Sequence, residues 1–73
     1  MNNDFEYMKE ALVTELVELL IKEYKVSLSE SLDILYFSET YKKLCDKNTG
    51  LYFQSSLYIY SYLKNEITTG VLG

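Results

Sequence analysis

The chain contains no histidine, arginine, proline or tryptophan, and only one cysteine and three glycines among 73 residues. Each shortage excludes something. Without histidine the commonest general base is missing, so neither a Ser-His-Asp nor a Cys-His site can be built from this chain alone, and the commonest zinc ligand is missing with it. A single cysteine, Cys45, permits no intrachain disulfide. Gly50, Gly70 and Gly73 form no run of the kind that cradles phosphate, and no Asp-x-Asp-x-Asp-Gly loop is present for calcium. Arginine supplies the planar fork that reads guanine and phosphate bidentately, and lysine does not reproduce it. Seven lysines against eleven acids leave a net charge of −4, which repels a nucleic-acid backbone.

These exclusions leave a non-enzymatic protein, one that needs no cofactor or metal and works by binding. A chain of this length is one domain, residues 1–73, with a thin core that supplies about 3–5 kcal/mol. Disulfides and metals are unavailable as staples, so a homo-oligomer or docking on another protein is the expected source of further stability. The opening Met-Asn-Asn-Asp-Phe-Glu has no basic start before an apolar run. The apolar-rich stretch from Leu12 to Ile21 is interrupted by Glu15 and Glu18 and is too short to span a bilayer. The expected location is the cytoplasm, with no membrane partner.

Hydrophobic spacing predicts an all-α domain, a small bundle of three main helices plus a short fourth helical turn. From about Asp4 to Lys25, Phe5, Met8, Leu12, Leu16 and Leu20 recur at helical spacing, and Val13, Val17, Ile21 and Tyr24 form a second row beside them. Together the rows cover roughly 220° of the helix, about twice what one neighbour requires. Two neighbours are therefore expected, one of them outside the chain. Ser27 and Glu30 have capping-box spacing, which places a second helix start near Leu28, and Ser38 can cap a further turn or two carrying Tyr41, Leu44 and Cys45. On that apolar face Cys45 reads as a core thiol rather than a nucleophile. Asp46 to Gly50 is a turn signal, and Leu51-Tyr52-Phe53 reads as a short extended segment over the core.

Leu57 to Leu63 carries both signals. Its aromatic and β-branched residues alternate as in a strand, whereas Ser55 and Ser56 as caps and the recurrence of Ile59 or Tyr60, Leu63 and Ile67 favour a helix. The helix reading is the one adopted, because no breaker appears before Gly70.

Eight tyrosines are more than one thin core can bury on a single side, and Tyr52, Tyr58, Tyr60 and Tyr62 crowd into eleven positions. Tyrosine combines large contact area with a hydrogen-bonding tip and is enriched at interfaces. The candidate interface is therefore Val13, Val17, Ile21 and Tyr24 on the first helix, with Tyr58 and Tyr62 on the last. Neighbouring acids such as Glu6 with Glu10, or Glu15 with Glu18, read as a solvated face rather than a catalytic pair. Lys42, Lys43 and Lys47 support an alternative, a small dimeric transcriptional regulator that touches DNA, although Glu39 and Asp46 offset their charge.

Ser27-Leu28-Ser29-Glu30, Tyr41-Lys42-Lys43-Leu44, Leu51-Tyr52-Phe53-Gln54-Ser55 and Tyr60-Ser61-Tyr62-Leu63 together resemble a family of short uncharacterised bacterial helical proteins, a domain of unknown function. Some of its members are encoded beside ADP-ribosyltransferase-like toxins. The resemblance implies an antitoxin or accessory role and carries no functional residues across.

Overall fold

A computed structural model describes residues 4–70 and contains, among them, four α-helices and no strand. Helix α1 spans Asp4–Tyr24, α2 Leu28–Tyr36, α3 Glu39–Cys45 and α4 Ser56–Thr69, with two single 3₁₀ turns, Lys47–Thr49 and Leu51–Phe53, between α3 and α4.

The boundaries follow from local chemistry. The α1 helix ends where Lys25 enters the left-handed region at φ 59°, its N–H bonding the Ile21 carbonyl at 2.9 Å. A side chain there is strained by about 1–2 kcal/mol relative to the right-handed region, and glycine is the residue that avoids the strain. Lys25→Gly is accordingly expected to raise stability by up to about 1 kcal/mol, read from the urea midpoint. Helix α2 opens on a complete capping box: the Ser27 hydroxyl accepts from the Glu30 N–H at 3.1 Å while the Glu30 carboxylate accepts from the Ser27 N–H at 3.0 Å. Ser38 caps α3 by accepting from Tyr41 N–H at 3.0 Å, and its own hydroxyl donates to the Leu35 carbonyl at 2.6 Å, so the short corner between α2 and α3 is tied at both sides. Ser55 accepts from Tyr58 N–H at 3.2 Å to start α4, and Gly70 ends it at φ 81°.

The strand-like alternation from Leu57 to Leu63 thus resolves as helix. With no partner strand available, an isolated strand would leave its backbone groups unpaired, whereas the helix pairs them within the segment. Leu51–Phe53 is a 3₁₀ turn rather than the expected extended segment. Gly50, at φ 72°, joins two tight turns back to back, and Gln54 N–H bonds the Leu51 carbonyl at 2.9 Å, which an extended chain could not do. The turn still lies on the core: it packs on α1, with Tyr52 edge-on to Phe5 at a ring separation of 4.8 Å.

The core consists of Leu12, Leu16, Val17 and Leu20 from α1, Leu35 from α2, Leu44 from α3, and Ile59, Tyr60 and Leu63 from α4. Helix α1 packs on both α2 and α4, so it has two neighbours within the chain. The second neighbour that the 220° arc requires is intramolecular.

Candidate functional site

Of the expected interface residues on α1, Val17 lies inside the molecule at 6% exposure, and Val13 and Ile21 are half-buried against the same core. Tyr24 stands at the margin, 36% exposed. Folding thus buries Val17 and partly covers Val13 and Ile21, whereas Tyr58 and Tyr62 on α4 remain 44% and 41% exposed.

The physical reason is helical phase. Ile59, Tyr60 and Leu63 take the inward side of α4, which leaves Leu57, Tyr58, Ser61 and Tyr62 within an outward arc of about 140° at 100° per residue. Tyr58 and Tyr62, one turn apart, meet edge to face with ring centres 5.2 Å apart and hydroxyls 3.0 Å apart. That hydrogen bond raises the Tyr58 phenol above its ordinary value. The rings hold each other rather than the core, and form a preordered aromatic pair on the surface. Leu57 extends the face, 68% exposed, and opens into a groove of about 300 Å³ lined by Glu15, Glu18, Leu19, Lys22 and Ser56.

The third tyrosine of the cluster has a different task. Tyr60 donates its hydroxyl to Glu23 at 2.6 Å, and Lys64 donates to the other carboxylate oxygen at 2.9 Å. Burial, then the bond to Glu23, holds the Tyr60 phenol far above its ordinary range, while the bonds from Tyr60 and Lys64 hold the Glu23 carboxyl below its own. This network fastens α4 to the end of α1 and borders the exposed face without belonging to it.

The remaining side chains singled out in the sequence are engaged elsewhere. Cys45 is half-buried and hydrogen-bonded to Tyr41, whose phenol is pushed up to about 12 by that bond first and by burial second. Lys42 pairs with Glu39 at 3.0 Å, and Lys47 lies over the Phe5 ring at 5.7 Å. The lysine cluster is therefore partly neutralised and partly turned to an aromatic ring. The protein should not be retained on heparin at moderate salt, and retention there that weakens steeply as salt rises would contradict that expectation. Among the described residues, no group of three His, Cys, Asp or Glu side chains is placed to hold a metal ion, and no helix is long and apolar enough to cross a membrane.

Leu57 is not among the interface residues expected from the sequence. Its phase relative to Ile59 and Leu63 carried the signal, since two positions before Ile59 on a helix is about 160° away. Phe37, 83% exposed at the corner between α2 and α3, is likewise absent from that set. Comparison with protein families, curated proteins and solved structures finds no match to this chain.

Proposed function

We propose that this protein is a non-catalytic binding module that recognises another protein through the outward face of α4. One observation carries the reading: Tyr58 and Tyr62, together with Leu57, are ordered, exposed and superfluous to the core, because Ile59, Tyr60 and Leu63 already dock α4. Large aromatic side chains fixed in place before binding lose little entropy on contact, and tyrosine is among the residues that dominate interface energetics. The resemblance to short bacterial proteins encoded beside toxins extends the proposal to an antitoxin or accessory partner acting in the cytoplasm. The packing of α1 on both α2 and α4 within the chain favours a different protein over a second copy as the partner.

The test separates folding from binding. Tyr58→Ser with Tyr62→Ser should leave the thermal midpoint nearly unchanged and weaken capture of the partner from native cell extract by tenfold or more. Unfolding of the double variant would place both rings in the stabilising core. A folded variant that captures every partner as before would move the binding surface off α4.

A further inference from the structure

We infer that the partner presents a basic amphipathic helix, with arginines or lysines flanking an apolar stripe, and that this helix lies along α4 with its apolar side on Leu57 and Tyr58 and its cations on Glu15 and Glu18. The inference rests on the binding-module reading above and specifies the chemistry of the same face.

Three observations converge. First, the groove beside Leu57 is lined by Leu57 and the half-buried Leu19 together with Glu15, Glu18, Lys22 and Ser56. Among the described residues neither carboxylate forms an ion pair; Lys22, on the same groove, stays unpaired as well, whereas Glu6, Glu23 and Glu39 each hold a lysine at 2.9–3.1 Å. Glu15 and Glu18 thus offer unpaired carboxylates beside the exposed leucine. Second, the outer face of α4 adds the Tyr58 and Tyr62 rings, and an aromatic face attracts a guanidinium or ammonium within about 6 Å of its centre. Third, the chain carries a net charge of −4 and has no arginine of its own, so a second copy would bring repulsion and lack the side chain that best satisfies carboxylates and rings together. An apolar strip with unpaired carboxylates along one edge is a surface that a basic amphipathic helix fills.

The probe is a synthetic amphipathic helical peptide of about 15 residues, roughly four turns, with a leucine stripe and arginine flanks, titrated at moderate salt by fluorescence anisotropy. Two companion peptides replace the arginines with glutamates or the leucines with alanines. The arginine–leucine peptide should bind, and both companions should bind at least tenfold more weakly. Glu15→Gln with Glu18→Gln should weaken binding at least tenfold, as should Leu57→Ser, whereas Glu10→Gln with Asp33→Asn, the same change in net charge elsewhere, should alter it less than about twofold. Circular dichroism confirms that each variant is folded.

Absence of binding, equal binding of the alanine peptide, or equal weakening by the Glu10 and Asp33 control overturns the inference, the last two by showing that bulk charge alone is responsible. Sedimentation that finds a dimer dissociated by Leu57→Ser also overturns it, since a second copy would then cover the face. Failure here is distinct from failure of the binding module itself. If the Tyr58 and Tyr62 variant loses partner capture from extract while the glutamate variant keeps it, the module stands and the basic helix falls. If the tyrosine variant keeps capture, both fall.

Discussion

Replacing Val17 with lysine is expected to unfold the protein rather than to release folded monomers. Val17 sits among Leu12, Leu16 and Leu20 at 6% exposure, and α1 packs on both α2 and α4 within the chain. An ammonium placed among these apolar side chains must be desolvated, a penalty of several kcal/mol. A core of this size supplies only about 3–5 kcal/mol, so the folded state should be lost at room temperature. The measurement combines circular dichroism with sedimentation. Loss of the helical signal is the expected outcome; a helical monomer arising from a wild-type dimer would show that Val17 faces a second subunit. Leu16→Ala, which removes fully buried volume without adding charge, should cost about 2–5 kcal/mol and serves as the apolar reference.

This outcome turns on a distinction that periodicity cannot make. The two apolar rows of α1 are visible in the spacing of Leu12, Leu16 and Leu20 and of Val13, Val17 and Ile21, and they state how many neighbours the helix has. They do not state whose. Helix α2 is only nine residues long, and the structure shows that this short element packs on α1 together with α4. The helix starts were legible for a firmer reason: Ser27, Ser38 and Ser55 each satisfy a specific orphan N–H, a local requirement independent of tertiary context. The Leu51–Phe53 turn was not legible, because three apolar residues have no period, and its 3₁₀ form depends on Gly50 adopting a positive φ.

The binding face divides in the same way. That some tyrosines must remain outside the core follows from their number, and the pairing of Tyr58 with Tyr62 follows from their spacing of four. That Tyr60 turns inward to Glu23 depends on where α1 ends relative to α4, a relation between residues 37 apart in sequence. Long-range polar contacts of this kind have no local signature, and the one that fixes α3 was invisible for the same reason.

Glu66→Gln is expected to destabilise the fold by about 1–2 kcal/mol near neutral pH, and the difference from wild type should vanish in acid. The Glu66 carboxylate reaches from α4 to the first turn of α3, accepting from Glu39 N–H at 2.7 Å, Thr40 N–H at 3.1 Å and the Thr40 hydroxyl at 2.9 Å. Two of the orphan donors of α3 are satisfied by a residue 26 or 27 positions away, and a seven-residue helix has little stability without such help. Its negative charge also lies at the positive end of the helix. Burial alone would raise the Glu66 carboxyl, but the three hydrogen bonds, with Lys42 nearby, outweigh it and hold the group below its ordinary value of 4.5. The folded state therefore binds the proton less readily than the unfolded chain. The resulting stabilisation is fully present above the unfolded value and is lost as pH falls through the lower folded value. Glutamine keeps the size but offers one neutral acceptor and places an amide NH₂ against N–H donors. Urea midpoints of wild type and variant, compared at pH 7 and about pH 3, test the claim. Wild-type stability should fall across that interval for Glu23 as well as Glu66, since both carboxyls lie below their ordinary range, so the informative quantity is the gap between the two proteins. A gap that stays constant with pH would mean that Glu66 acts through packing alone, and that α3 is held by Ser38 and Leu44 without the cross-helix clasp.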